Sequence, residues 1–440
     1  MKRTLRKLTA LAVCPLLGCA LLCGCAGRAD RLGAPDGTPE ALSHGERESD
    51  DLAALRAGAD AFAARFAAAA YAEQAGEGNL AVSPLSVYMA LALEAEAAAG
   101  ETQAELLAAL GTDAETLRAA FPLLYRSAFT DGERHKVLPT NSLWLAQGLP
   151  VRQSCVDTLA EKYFCHSYEA DFSGDNAGAN KAVRNFIKKQ TNGLIDRDFR
   201  LTEQTYFAVI NTLYLKDLWN GAGDDLPLTD AAHTFTQADG SVYETPLLRG
   251  HYASGRPQAG EDCTYFFAET AGRCRLLFLL PDEGHSVQEV FTEENIARAI
   301  ACTSYGDYNE DKTEHYNTRC LFPAFSADYD ADLRALLREQ FGIRALFDDA
   351  ACDLSALLGR ASAEGAPYAC TGITHVTKLE VDRGGIEGAA ATVIANGATS
   401  AEPDPAKEVY LDFVVDRAFG FAIVDASGNT LFAGAVESLA

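Results

Sequence analysis

The chain has 440 residues, 48% of them hydrophobic and 22% charged. These values exclude a disulfide miniprotein, a collagen-like rod and global disorder. Its 37 Lys and Arg stand against 62 Asp and Glu, a net charge of −25, which argues against sequence-independent nucleic-acid binding and against a polybasic membrane patch outside the extreme N-terminus.

Lys2, Arg3, Arg6 and Lys7 make a basic start, and an apolar run from Leu8 to Cys23 follows. That is the form of an export signal and is short for a membrane-spanning helix. The run ends in Leu22-Cys23-Gly24-Cys25-Ala26, which resembles a bacterial lipoprotein box. Residues 1–24 then form a signal peptide, and Cys25 becomes the lipidated N-terminus; with ordinary cleavage the protein is secreted instead. Leu16-Leu17-Gly18-Cys19 is a weaker second match. Loss of the four basic residues takes the net charge from −25 to −29, so the mature protein is strongly acidic and extracytoplasmic. Residues 26–50 hold four Gly, two Pro, nine charges and no aromatic residue. They read as a flexible tether with a reach of roughly 25–30 Å, leaving residues 51–440 as the folded domain.

A helix is expected over residues 51–72, with Leu52, Leu55, Phe62 and Phe66 on one face. Ser83-Pro84 reads as an N-cap followed by Pro at the first helical position, opening a helix that stops at Gly100. Thr102 and Glu105 have the spacing of a capping box for a third helix, which ends at Gly111. A further helix is expected over about 179–192. Strands dominate later: Tyr206 to Lys216, Cys274 to Leu280, His375 to Val381, Phe413 to Val424 and Leu431 to Val436. Helices first and strands later, without βαβ alternation or repeats, point to one α+β domain with large, mostly antiparallel sheets.

Of twelve Cys, four belong to the leader: Cys14, Cys19, Cys23 and Cys25. The other eight could pair as disulfides or remain buried thiols. None makes a CxxC pair, and the eight His lack metal-ligand spacing, so no metal or cofactor is expected. The chain also lacks a GxxxxGK[ST] phosphate loop, an HExxH helix and a GxSxG elbow, and the reading is that of a non-enzyme.

Separated segments resemble the serpin family in the family's own order: Asn79 to Ser86, Gly100-Glu101-Thr102, Asn141 to Trp144, Thr191-Asn192-Gly193, Asn211 to Lys216 with Trp219, Leu280 to Gly284, Phe322 to Phe325, Asp416 to Phe421 and Leu431 to Gly434. In these last two segments an Ala stands where the family usually has Pro. The resemblance spans roughly residues 51–440. It implies helices packed on large sheets with an exposed reactive loop at about 383–408. It also implies a polar cluster of Ser83, Ser86, Asn211 and His375 under the place where the central sheet opens, with Trp219 beneath the top of that sheet. In the absence of the resemblance, His375 reads as a satisfied structural histidine and Trp219 as core.

Residues 381–396 make a strange core strand, full of Gly and Ala that hold a sheet poorly, and 396–408 carries two Pro and no aromatic residue. The resemblance makes this stretch bait: a protease cuts it, becomes acylated, and is carried off as the upstream half enters the central sheet. Strand alternation places Ile386, Gly388, Ala390, Thr392, Ile394 and Asn396 on one uncharged face. Gly385, Glu387, Ala389, Ala391, Val393 and Ala395 lie on the other. Three departures stand out: Arg383 replaces the family's usual Glu, Ile386 its Thr or Ser, and Gly388 its Ala. Counting sixteen residues from Arg383 puts the cut bond at Thr399-Ser400, with Ala398-Thr399 next to it. Small residues before the bond suit an elastase-like or subtilisin-like serine protease and disfavour a trypsin-like one. A cysteine protease is a further candidate, a non-inhibitory carrier serpin is the alternative function, and the protein is expected to be a monomer.

Overall fold

The computed structural model describes residues 29–219, 225–359, 369–370, 373–386 and 406–439. The first long helix spans Asp50–Gln74, where the Ser49 side chain accepts from the Leu52 amide and Leu52, Leu55, Phe62 and Phe66 are buried. The next, Pro84–Ala97, is buried at every position, as a helix apolar on nearly all sides must be. Ser83 occupies its N-cap but makes no side-chain cap; its hydroxyl donates to the Leu431 carbonyl at 2.8 Å.

The third helix, Gly100–Leu110, ends at Gly111 in the left-handed conformation with φ 65°, a geometry that favours glycine. The capping box expected at its start is absent because the helix begins earlier, with Ala99 at the N-cap, so Thr102 already lies inside the first turn and both side chains serve tertiary partners. Thr102 Oγ1 accepts from the Asp353 amide at 2.9 Å, and Glu105 accepts from the Arg344 and Ala345 amides, both at 2.7 Å. Among the helices not foreseen are Ala114–Ala128, Gln153–Tyr163, Glu293–Ala301 and Arg334–Gln340.

Central-sheet order begins Asp30–Gly33, Cys165–Ala170, His135–Ala146, Phe207–Leu218, Gly385–Ile386, Thr374–Val381, Phe325–Asp332. The sheet continues through Leu80–Val82 into the buried hairpin of Phe419–Val424 and Thr430–Val436, then Arg275–Pro281 and Cys263–Glu269. Gly434 is needed where these strands meet, since a Cβ there would lie 1.8 Å from the Leu80 carbonyl oxygen. The helix Asn176–Gln190 lays Ala179, Val183 and Ile187 against Trp144 and Ile210 on one face of the central sheet; the main core lies on the other.

Two expectations are corrected here. Part of the supposed tether is structured: Asp30–Gly33 adds an edge strand antiparallel to Cys165–Ala170, Ser43 and Glu46 form a capping box, and Arg126 bonds Glu46 and the Glu40 carbonyl. The supposed single strand Phe413 to Val424 is two. Lys407–Val414 runs parallel to Glu314–Phe322 in a separate sheet, and Phe419–Val424 begins after the polar Asp416-Arg417 break. Cys155, Cys165, Cys263, Cys274, Cys302 and Cys320 are free thiols, all buried except the half-buried Cys302. Among the described residues no helix is long and apolar enough to cross a membrane.

Candidate functional site

The site is the place where the central sheet takes up the chain that follows Thr374–Val381. A tight turn reverses the backbone there. Asp382 makes it: its carboxylate accepts from the Gly384 amide at 2.8 Å and the Gly385 amide at 3.2 Å, and its own amide donates to the Gly385 carbonyl at 3.0 Å. An Asp that bonds amides two and three residues on is the usual device for such a turn. Trp219 Nε1 donates to the Asp382 carbonyl at 2.7 Å, and its ring meets Phe322 edge-on at 5.5 Å. The aromatic residue is thus core and anchor together.

Arg383 holds the outside of the turn. Its carbonyl accepts from the Leu226 amide at 2.7 Å, its Nε donates to the Leu226 carbonyl at 3.2 Å, and its guanidinium lies 3.7 Å from Asp225. After the turn, Gly385 and Ile386 form a two-residue strand antiparallel to both neighbours. Gly385 pairs with Leu218, and Ile386 with Asp217 on one side and Val381 on the other. A Cβ at residue 385 would lie 2.4 Å from the Asp217 carbonyl oxygen, so this close approach needs glycine. Ile386 is fully buried. The hinge therefore does not begin outside the sheet, as the loop assignment from 383 implied. Two of its residues are already seated, and Ala406 is buried at the far end, ahead of the strand Lys407–Val414. Glu387, Gly388, Ala389, Ala390, Ala391, Thr392, Ala398, Thr399 and Ser400, like Cys25, lie outside the described residues.

Below the hinge, the expected polar cluster exists as two hydrogen-bond chains that leave one turn of the helix Pro84–Ala97. In one, the Ser83 amide donates to His375 Nε2 at 3.0 Å. His375 is packed between the rings of Phe66 and Tyr329, and burial pushes its pKa down to about 3. It is a neutral acceptor, held as part of the core. In the other chain, the Ser86 hydroxyl donates to Asn211 Oδ1, Asn211 Nδ2 donates to Asn141 Oδ1, and Asn141 Nδ2 donates to the Tyr163 carbonyl at 2.7 Å. These bonds span facing strands and the helix behind them, so moving the strands apart must rearrange them. Trp219 is not in this cluster; it lies eight residues along the strand from Asn211, about 26 Å away.

Asn141, Asp382 and Thr377, whose hydroxyl donates to the Ala81 carbonyl, complete the arrangement and were not singled out from sequence. Asp382 had a readable signal, an Asp two residues before a Gly-Gly pair.

Residues 57–439 match the sequence model of the family described as "Serpin (serine protease inhibitor)". The chain belongs to the serpin family. It is 26% identical over 380 residues to alpha-1-antiproteinase S of Cavia porcellus, across 83% of this chain and 85% of that one. Its serpin fold is similar to native tengpin, a thermophilic serpin, with a TM-score of 0.70 at 22% identity over 94% of this chain and all of that one. It is also similar to thyroxine-binding globulin in complex with thyroxine, with a TM-score of 0.66 at 20% identity over 87% and 98% of the two chains. The same fold thus occurs in a protein that binds thyroxine. What distinguishes this serpin's function has to be read from its own hinge.

Proposed function

We propose that this serpin is an extracytoplasmic suicide inhibitor, held to the membrane through lipid on Cys25, that traps an elastase-like or subtilisin-like serine protease. It acts as a monomer and performs no catalysis of its own. The observation that carries the reading is the seated pair Gly385–Ile386 between Phe207–Leu218 and Thr374–Val381. Among the described residues these two long strands are not laddered to each other; each bonds to the hinge. The slot for a further strand is already primed at its upper end.

The protease serine attacks the Thr399 carbonyl, the Ser400 amine leaves, and an ester joins Thr399 to the enzyme. The chain upstream then extends the register that Ile386 begins. Residue 388 comes opposite Leu215 and Leu379, 390 opposite Leu213 and Thr377, and 392 opposite Asn211 and His375. Those partners face the core, and directly opposed residues share a face. Gly388 and Ala390 are small enough to enter between Leu, Leu and Thr side chains. Thr392 brings a hydroxyl to the polar chains of Asn211 and His375, where a purely apolar residue would leave them less well matched. New backbone hydrogen bonds on both sides and burial of this face drive insertion ahead of deacylation. The alternative, a carrier serpin, predicts cleavage without insertion.

The test is to mix the protein with elastase-like, subtilisin-like, trypsin-like and cysteine proteases, and to look for an SDS-resistant complex and the mass of the released C-terminal peptide. The expected result is a complex with a small-residue-specific serine protease and a peptide starting at Ser400. Cleavage by every enzyme with no complex, and no rise in unfolding temperature after cleavage, would refute inhibition and leave the carrier reading.

A further inference from the structure

Three donor atoms of different chemistry converge beside the hinge. His135 begins the strand His135–Ala146, Asp217 lies near the end of Phe207–Leu218, and Cys274 closes the turn before Arg275–Pro281. A ring nitrogen, a carboxylate oxygen and the thiol sulfur from these residues all lie within 4.8 Å of one another. Asp217 and Cys274 are fully buried and His135 is half-buried. His135 Nδ1 is 3.1 Å from Asp217 Oδ2, but the contact does not have hydrogen-bond geometry.

The carboxylate is already oriented from behind. The Gly272 amide donates to Asp217 Oδ1 at 2.9 Å, and the Thr270 hydroxyl donates to Oδ2. Residue 272 also leaves room: a Cβ there would lie 2.2 Å from His135 Nδ1 and 2.7 Å from Asp217 Oδ2. Any side chain would fill the space that the two donor atoms share.

We propose that His135, Asp217 and Cys274 form a transition-metal site that takes Zn²⁺, with water as the fourth ligand. One imidazole, one carboxylate and one thiolate are a borderline-soft set that suits zinc and does not suit the all-oxygen preference of Mg²⁺ or Ca²⁺. Zinc bonds of about 2.0–2.3 Å place tetrahedral ligands roughly 3.3–3.8 Å apart; His135 and Asp217 already meet at 3.1 Å, so only the more widely separated donors, within 4.8 Å, need to close, by about 1 Å at most. Binding releases the thiol proton to solvent, and the Thr270 and Gly272 donors supply the outer contacts that such ligands require. Sequence spacing concealed the site, because the ligands come from three distant segments, and no metal was expected. Its position gives it a consequence. Asp217 carries the backbone that pairs with Ile386, so a bound ion ties the end of that strand to its neighbours where the loop enters. Binding itself does not depend on the inhibitory reading.

The test is a Co²⁺ titration of the full chain in a background where Cys14, Cys19, Cys23, Cys25 and Cys302 are changed to Ser. One equivalent of Co²⁺ should give a thiolate-to-cobalt charge-transfer band and tetrahedral d–d bands, both abolished by excess Zn²⁺. Cys274→Ser should abolish the charge-transfer band. His135→Gln, at a half-buried position and with folding checked by circular dichroism, should weaken Co²⁺ binding by about tenfold or more. No thiolate band in the background protein, or the same band and affinity in both variants, overturns the site.

Discussion

Ala390→Glu tests the proposed register most directly. Continued from Ile386, the register sets residue 390 between Leu213 and Thr377, on the face that packs on the core. A carboxylate there would have no cationic partner. Glu94 gives the scale: it is buried with both carboxylate oxygens unpartnered, and burial raises its pKa to about 8. A group moved from an ordinary pKa near 4.5 to about 8 is penalised by roughly 3 kcal/mol at pH 7. If a third of that is felt in the transition state for insertion, the race shifts by about fivefold to tenfold toward deacylation. The control is Ala389→Glu. Residue 389 falls on the other face, between the exposed Lys378 and the buried Tyr214, so its carboxylate gains a cation that one at 390 lacks. The assay is the yield of SDS-resistant complex per cleavage event with one protease. The expected outcome is a large loss for Ala390→Glu and a small one for Ala389→Glu. The sign with pH is also fixed: the penalty is absent below about 4.5 and grows up to about 8, so the Ala390→Glu deficit relative to wild type should shrink at pH 5. Equal losses in the two variants, or a deficit that does not depend on pH, would refute the register.

Ile386→Ala should destabilise the native protein by about 2–4 kcal/mol in urea unfolding, because a fully buried side chain between two strands is lost; a change under 0.5 kcal/mol would mean that the seated hinge does not exist in solution. Glu94→Gln tests the buried carboxyl itself. With its pKa raised by burial to about 8, the native state holds a proton that the unfolded chain releases near 4.5, so stability falls between those pH values. The variant should match wild type at pH 5 and be more stable at pH 9, and parallel stability profiles would contradict this. Cys25→Ser should release the protein from membranes and remove its lipid label, whereas unchanged fractionation and labelling would rule out lipidation at that residue.

Much of the scaffold could be read in advance because it rests on local pattern. The helix Pro84–Ala97 is apolar on nearly every side, and the last strands are short apolar runs bounded by turns. What resisted reading was decided by partners distant in the chain. Thr102 and Glu105 have the spacing of a capping box, yet the helix begins earlier, after Ala99, and their oxygens accept from the amides of residues 344, 345 and 353. Residues 30–33 have a tether's composition, but four of them suffice to pair with an exposed strand edge. Asn141 joins the polar chain only because antiparallel register sets it opposite Asn211. The three metal-ligand candidates share no local pattern at all.

The same distinction settles what the departures at the hinge mean physically. Where the family usually has Glu, Arg383 leaves the turn intact, since the bonds that shape the turn come from the Asp382 carboxylate and from backbone. The Arg383 guanidinium adds contacts outside the sheet, to Leu226 and Asp225. Ile386 acts inside it. Its side chain fills the core face between Asp217 and Val381, and its burial holds the pair of strands apart at their upper end. A Thr there would bury less apolar surface and bring a hydroxyl in need of a partner. The bulk of Ile386 is therefore already accommodated in the sheet before any cleavage. On the proposed insertion mechanism, the next obstacle lies further down the slot, at the polar chains of Asn211 and His375, where Thr392 would have to arrive.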